Sequence, residues 1–437
     1  MAPDARADGR EFAALSDTIY ALSSGAPPAA IAVVRISGPQ ADAALEALAG
    51  RLPEPRVATL AELRADGQVL DKALILRFPG PRSATGEDVA ELHLHGGRAV
   101  VAAVRGALFC LPGLREAEPG EFTRRAFENG RIDLAEAEGL ADLLAAETEA
   151  QRLAALALAG GALGRQVEAW QARLLALSAQ LEAALDFSDE ADVGELPDGF
   201  EAELKALSAE LDAWLARPPA ERLKDGVRVV IAGPPNSGKS SLLNALIGRE
   251  AAIISAIPGT TRDLVEAPVS LAGAPFLLVD TAGLRDSDDA IETIGLARAR
   301  DSLAAADLIL WLGDPEDCPD RERSILVQPM MDLDPPAREA DICVSSQTGS
   351  GLTELIRLLI RRSTALLPAE NEVALNARQR AALADAAAWL REGRQASDSL
   401  IVAEAFRQAR AALDRITGRA GVEDMLDALF GRFCIGK

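Results

Sequence analysis

One stretch limits what this chain can fold into more than any other: Val227 to Ile247, VRVVIAGPPNSGKSSLLNALI. It opens with Val229-Val230-Ile231-Ala232, an apolar run that reads as a buried parallel strand. Gly233-Pro-Pro-Asn-Ser-Gly238-Lys239-Ser240 follows, with the spacing G-x-x-x-x-G-K-[ST]. Leu242, Leu243 and Leu246 then recur at helical spacing. Strand, glycine loop and helix in that order form a phosphate cradle, because backbone N–H groups and the helix dipole converge on one point. Asn236, Ser237, Gly238, Lys239, Ser240 and Ser241 are the residues this places around a nucleotide. Lys239 is expected to reach the β- and γ-phosphates and the Ser240 hydroxyl to bind Mg²⁺.

A chain of 437 residues exceeds one hydrophobic core, so two to four domains are expected. The balance of 45 basic and 67 acidic residues leaves a net charge of −22, which opposes a large basic groove for nucleic acid. An RNA substrate would need local contacts or positive surface from a partner. Cys110, Cys318, Cys343 and Cys434 have neither metal-ligand spacing nor a disulfide framework, which points to a reducing cytoplasmic setting. No signal peptide and no transmembrane span are expected: the most apolar helical stretch, Leu153 to Leu163, is short and flanked by Arg152 and Arg165.

The fold class expected is multidomain, α+β and α/β. Residues 1–129 read as an α+β domain, with strands at Ala30 to Ile36, Lys72 to Phe78 and Val89 to His95 and a helix from Ala99 to Leu111. Residues 130–224 turn to alanine- and leucine-rich helix, interrupted at Gly160-Gly161 and Gly164. An acidic loop is expected from Ser188 to Asp198. Strands and helices alternate through 225–374, as in a Ras-like phosphate-loop α/β domain. Helical pattern returns over 375–437, through Leu429, so the nucleotide domain is inserted within a helical one.

Two further motifs sharpen the nucleotide reading. Pro258-Gly259-Thr260-Thr261 places Thr261 as a second Mg²⁺ ligand, one sensitive to the γ-phosphate. The strand Phe276 to Asp280 ends in Asp280-Thr281-Ala282-Gly283, with Asp280 behind the metal and the Gly283 N–H facing the γ-phosphate. Three phosphate elements in this order point to GTP rather than to a generic ATPase. Leu284 stands where Ras-like GTPases carry a water-orienting Gln, so another group or an external cation must serve. The guanine-reading Asn-Lys-x-Asp is also altered, to Pro329-Met330-Met331-Asp332. Asp332 is kept to read the base, and Ser345-Ser346 matches the loop that backs it. Weaker GTP binding with selectivity over ATP retained is the expectation.

Over nearly its whole length the chain resembles the MnmE (TrmE) family of tRNA-modification GTPases. Asp17-Thr-Ile19, Val34-Arg-Ile-Ser-Gly38, Thr85-Gly-Glu-Asp-Val89, Pro119-Gly-Glu-Phe-Thr123 and Arg125-Ala-Phe127 are similar to its N-terminal signatures. Asp280-Thr-Ala-Gly-Leu-Arg285 with Ile291-Glu292 and Gly295 is similar to its switch II, and the ending Phe433-Cys434-Ile435-Gly436-Lys437 to its terminal motif. The resemblance implies a homodimer that works with the flavoprotein MnmG in a heterotetramer. It implies that an aminomethyl-type group (carboxymethylaminomethyl) is placed at C5 of the wobble uridine of certain tRNAs. The carbon donor implied is a tetrahydrofolate derivative, 5-formyl or 5,10-methylene. It implies K⁺ at Asn236, Ser255, Ile257 and Thr260, within a nucleotide-binding loop Ser255-Ala256-Ile257-Pro258-Gly259-Thr260, and a water oriented by Glu292. Arg35, Glu91, Arg131 and Lys437 match its folate positions; the Arg35 guanidinium suits folate tail carboxylates and Glu91 the pterin's donor edge. Cys434 is a candidate for chemistry or for packing by that pocket. His93 and His95 face one side of a strand but are too few for a metal site and read as structural.

Two other functions compete. The nucleotide motifs alone fit a GTP-dependent RNA or ribosome assembly factor without folate chemistry equally well. A folate-binding regulatory module with an idle GTPase is the third. The N-terminal motifs and the Cys-Ile-Gly-Lys end argue against the assembly factor, and GTP turnover separates the idle module.

Overall fold

Each sheet of this chain takes its strand faces from the periodicity of its residues. In the computed structural model the described residues are 17–186, 196–250, 266–281, 300–332, 339–369 and 372–419, with 426, 429–431, 433, 435 and 436. They divide into two compact units, Met1–Ala141 with Gly421–Lys437, and Asp142–Ala420.

The first unit contains β1 (Thr18–Leu22), β2 (Ile31–Ser37), α1 (Ala41–Ala49), β3 (Thr59–Ala65), β4 (Gln68–Phe78), β5 (Val89–His95), α2 (Arg98–Phe109), β6 (Leu114–Glu116) and α3 (Glu121–Glu128). The sheet order is β3-β4-β5-β2-β1-β6, antiparallel except for the β1/β6 pair. Ala32, Val34 and Ile36 of β2 and Ala90, Leu92 and Leu94 of β5 point to one face, against Leu45 of α1 and Val104 of α2. Strand alternation therefore sends Arg35, Glu91 and His93 to the opposite face, which carries Ile19, Ala21 and Phe122. A register slip of one residue would bury these charges, so the apolar face holds them in place.

Residues Gly421–Lys437 group with this sheet unit, and Leu426, Leu429 and Phe430 are helical, as the pattern through Leu429 leads one to expect. Their apolar residues are the reason: Leu426, Phe430 and Phe433 pack with Leu134 and Ala137. The Phe430 ring lies 6.3 Å from that of Phe127. Ile435 pairs with Pro119. Gly436, at φ +98, passes so close to β1 that an added Cβ would lie 2.1 Å from the Leu22 carbonyl.

The second unit runs through α4 (Leu134–Ala145, which it shares with the first), α5 (Glu149–Ala159), α6 (Ala162–Asp186), α7 (Phe200–Leu215) and α8 (Glu221–Asp225). Then come β7 (Val227–Ala232), α9 (Lys239–Glu250), β8 (Glu266–Leu271), β9 (Ala274–Asp280), β10 (Leu308–Trp311), β11 (Ser324–Gln328), β12 (Ile342–Cys343) and α10 (Leu352–Ser363). It ends with α11 (Ala377–Gln395) and α12 (Ser399–Thr417). The expected interruption falls at Gly160-Gly161, between α5 and α6, whereas Gly164 continues inside α6, buried in its first turn. α12 packs on α6 and α11 on α7, so helices from both sides of the second sheet form one bundle. Trp170 and Trp214 meet edge-on at 5.2 Å in its core, and the Trp170 indole donates to Glu210 at 3.0 Å. The second sheet has the order β12-β11-β10-β7-β9-β8, parallel except for β8.

Candidate functional site

In the second sheet β7 lies between β9 and β10, where the strand order reverses. Loops at the carboxyl ends of parallel strands open a crevice at such a point. The loop after β7 reaches α9 with Gly233 at φ +152 and Gly238 at φ +86, conformations that a side chain opposes. Asn236 also has a positive φ, +59, which asparagine tolerates better than most residues. Lys239, only 7% exposed, folds back so that Nζ donates to the Pro234 carbonyl at 2.7 Å and the Gly233 carbonyl at 3.2 Å. Ser240 Oγ donates to Asp280 Oδ2 at 2.6 Å. The Thr281 hydroxyl donates to the Ile231 carbonyl at 2.9 Å, tying the end of β9 to the strand that enters the loop. Ser237 Oγ is buried and has no protein partner. A buried hydroxyl without a partner costs free energy, and a phosphate oxygen would supply the missing bond. A hydroxyl beside a carboxylate is a hard-oxygen donor set of the kind Mg²⁺ takes. The residues thus fit the metal and the nucleotide expected here, with Ser240 as direct ligand and Asp280 behind it.

The altered guanine loop is held by the backbone. Met331 N donates to the Val344 carbonyl at 3.2 Å, and Val344 N to the Gln328 carbonyl at 2.9 Å. Met330 takes φ +56. A Cβ placed on Gly238 would lie 3.3 Å from Met330 Cε and 3.9 Å from Pro329 Cβ. Where the usual motif ties this loop to the phosphate loop with an amide, the Met330 and Pro329 side chains lie beside Gly238 instead. Asp332 is exposed at the loop's end. Ser345, fully buried, accepts from Thr348 N through Oγ at 3.1 Å, and Ser346 follows it, half-buried. Ser255, Ala256, Ile257, Pro258, Gly259, Thr260, Thr261, Ala282, Gly283, Glu292, Cys434 and Lys437 lie outside the described residues.

On the open face of the first sheet, Arg35 Nε and Nη2 both donate to Glu91 Oε1, at 3.1 and 3.0 Å. The guanidinium lies 5.8 Å from the centre of the Phe122 ring. His93 Nε2 is 3.2 Å from Glu91 Oε2, and His95 Nδ1 is 2.7 Å from Asp71, so both histidines have carboxylate partners. Among the described residues no group of His, Cys, Asp or Glu is arranged to hold a metal ion. The two side chains expected to meet a folate are thus in direct contact with each other. Arg131 is exposed at a different place, its Cγ 3.2 Å from where a Gly86 Cβ would stand.

Sequence reasoning missed the charged network behind this face. Arg125 is 3% exposed and donates to Glu87 (3.2 Å), Glu121 (3.0 Å), the Asp17 carboxylate (2.8 Å) and the Asp17 carbonyl (3.0 Å). Arg115 bonds Glu121 at 2.8 Å and also bonds Asp17. Ser37 donates to Glu87 at 2.7 Å and meets Thr85 at 2.6 Å. Burial alone would raise the pKa of Glu121, but Arg115 and Arg125 outweigh it and hold the group below the usual carboxylate range; Asp17 is lowered in the same way. The signal was present in the signatures themselves, which between them carry Asp17, Glu87, Glu121 and Arg125.

The strand order of the second sheet and the cradle at its reversal point define the class: a phosphate-loop GTPase set within a helical region and preceded by a separate α+β unit. Residues 134–434 match the model of the MnmE helical domain, and residues 18–131 that of the GTP-binding protein TrmE N-terminus. The tRNA modification GTPase MnmE of Rhizorhabdus wittichii is 60% identical over 441 aligned positions, covering 100% of both chains. Its counterpart in Erythrobacter litoralis is 58% identical over 96% of this chain and 100% of its own, and that of Novosphingobium aromaticivorans 57% over 97% and 100%. The chain belongs to the MnmE family of tRNA modification GTPases.

Proposed function

We propose that this tRNA modification GTPase installs a carboxymethylaminomethyl-type group at C5 of the wobble uridine of certain tRNAs, with a tetrahydrofolate derivative as carbon donor. It acts in the cytoplasm as a homodimer, together with the flavoprotein MnmG in a heterotetramer. The observation that carries the folate reading is the Arg35–Glu91 pair beside Phe122 on the open sheet face. There Glu91 accepts from the donor edge of a pterin, Arg35 orients Glu91, and the Phe122 ring offers an apolar edge. Arg131, which is exposed, pairs with the tail carboxylates, which a guanidinium grips in bidentate fashion. The folate supplies the one-carbon unit when bound. Lys437 and Cys434 are proposed to close this pocket, in keeping with the position of Ile435 and Gly436 against Pro119 and Leu22.

For GTP, Lys239 binds the phosphates, Ser240 and Thr261 hold Mg²⁺, and Asp332 reads the base. Ser255, Ala256, Ile257, Pro258, Gly259 and Thr260 are proposed to line the nucleotide, with Ala282 and Gly283 at its γ-phosphate. K⁺ sits at Asn236, Ser255, Ile257 and Thr260, and Glu292 orients the attacking water. Asn236 carries a positive φ, +59, within the phosphate loop. The homodimer reading is supported by Leu60 and Leu74, cross-strand neighbours on β3 and β4, exposed at 55% and 37% with Val69 at 51% nearby.

The deciding experiment is mass analysis of tRNA nucleosides from cells lacking the protein, complemented with wild-type or Glu91→Gln chains. Loss of the C5 modification in the deletion, its return with wild type and its absence with Glu91→Gln, while GTP binding persists, is the expected result. Unchanged nucleosides in the deletion overturn the function. Full complementation by Glu91→Gln overturns the pterin site.

A further inference from the structure

The β8–β9 hairpin joins the two segments of this chain that carry nucleotide-sensing residues. β8 begins at Glu266, five positions after Thr261, and β9 ends at Asp280, immediately before Thr281-Ala282-Gly283. Its far end is a two-residue turn, Ala272 (φ +49) and Gly273 (φ +82), between the paired residues Leu271 and Ala274. Both left-handed conformations make this a tight turn that matches strand twist, so the hairpin has one register and little give. β9 has seven residues, which sets its two ends roughly 20–24 Å apart.

The turn is seated on the N-terminus of α5. Ala150 N donates to the Gly273 carbonyl at 3.1 Å. The first N–H groups of a helix have no partner within it. Here Thr148 Oγ1 takes Gln151 N at 3.3 Å, and the hairpin takes Ala150 N. The carbonyl also lies at the positive end of the helix dipole. Gln151 gives this end of α5 a second attachment. Its Oε1 accepts from Glu147 N and Thr148 N, both at 2.9 Å, while Nε2 donates to the Leu223 carbonyl at 2.9 Å. Leu223 belongs to α8, which leads directly into β7 and the phosphate loop. The contact is not packed solid on its helical side. An open pocket of about 270 Å³, lined among others by Ala154, Leu158, Leu223 and Ala374, adjoins it.

We propose that the β8–β9 hairpin transmits the nucleotide state to the helical bundle, and that Ala150 and Gln151 are the positioning residues that receive it at the N-terminus of α5. A shift of either nucleotide-facing end of a rigid hairpin must move its turn, and this turn is bonded to a helix that continues into α6. The inference rests on GTP binding by this chain and not on the folate chemistry proposed above.

Amide hydrogen exchange on the full-length protein tests it, in the nucleotide-free, GDP and non-hydrolysable GTP-analogue states, with Mg²⁺ and K⁺ present. Exchange in residues 149–154 is expected to differ about fivefold between the GDP and GTP-analogue states, the scale of one backbone hydrogen bond. Ala150→Pro removes the donor in the first helical turn, where proline is tolerated. It is expected to abolish that difference while residues 233–240 remain protected by nucleotide as in wild type. Ala150→Gly, which keeps the N–H, is expected to retain the difference, as a merely structural role for the methyl group would not require. Should Ala150→Pro fail to fold, Gln151→Glu, which replaces the donor to Leu223 with an acceptor, is expected to reduce the difference. Identical α5 exchange in all nucleotide states of the wild type overturns the proposal, as does a full difference in Ala150→Pro or Gln151→Glu. No nucleotide protection of residues 233–240 in wild type overturns the GTP-binding assignment and this inference with it.

Discussion

Replacing Arg125 by Met removes the hub of the buried network in the first unit. The structure says which groups then lose their partner. Asp17 and Glu121 keep Arg115, but Glu87, with 13% of its side chain exposed, keeps only the Ser37 hydroxyl among the described residues. Removing one partner of a buried ion pair costs about 3–5 kcal/mol, mostly because the other charge is stranded. Two of the three carboxylates remain neutralised by Arg115, so the lower end applies, about 3 kcal/mol. The four tryptophans, at 170, 214, 311 and 389, all lie in the second unit, so fluorescence does not report on this one. Protection of the β2 and β5 amides in native-state exchange does, and it should fall by about 3 kcal/mol. Adding Glu87→Gln removes the stranded charge while leaving an acceptor for Ser37, and should recover at least about 1 kcal/mol. Because Glu121 adjoins Phe122, the pterin binding proposed above should weaken in the single variant as well. A loss below about 1 kcal/mol, or a double variant no more stable than the single, would show that the network carries little of the stability of this face.

Acid should loosen the same unit. Asp17 and Glu121 have folded pKa values below their ordinary 3.8 and 4.5, so their contribution is complete above those values and is lost as pH falls through the folded ones. Exchange protection of β2 that stays flat from pH 5 down to pH 2 contradicts this. In the guanine loop, Pro329→Asn with Met330→Lys should restore the amide tie and tighten GTP roughly fivefold, the worth of about 1 kcal/mol. Calorimetric titration that finds no gain shows that the loop departure is compensated elsewhere. GTP turnover should be much faster in K⁺ than in Na⁺, and Glu292→Ala should lower turnover with binding nearly intact. Equal rates in the two salts, or parallel loss of binding and turnover, refute these assignments.

What the sequence determined by itself is whatever depends on short covalent spacing. The phosphate loop is legible because Gly233, Gly238, Lys239 and Ser240 must be near neighbours in the chain to wrap one anion, and an apolar run on either side declares strand and helix. The strands at Val89–His95 and Ile31–Ser37 are legible from alternation, which also places Arg35, Glu91 and His93 on one face. Spacing is silent on which strands pair. Arg35 meets Glu91 across 56 residues because β2 and β5 adopt one antiparallel register. Arg125 reaches Asp17 across 108 residues, a buried charge tolerable only when its partners arrive from the residue before β1, from α3 and from the loop before β5. The return of Gly421–Lys437 to the first sheet unit, and the seating of the β8–β9 turn on α5, were likewise decided by tertiary structure. In both cases apolar burial and unpaired backbone groups select a partner that no local pattern names.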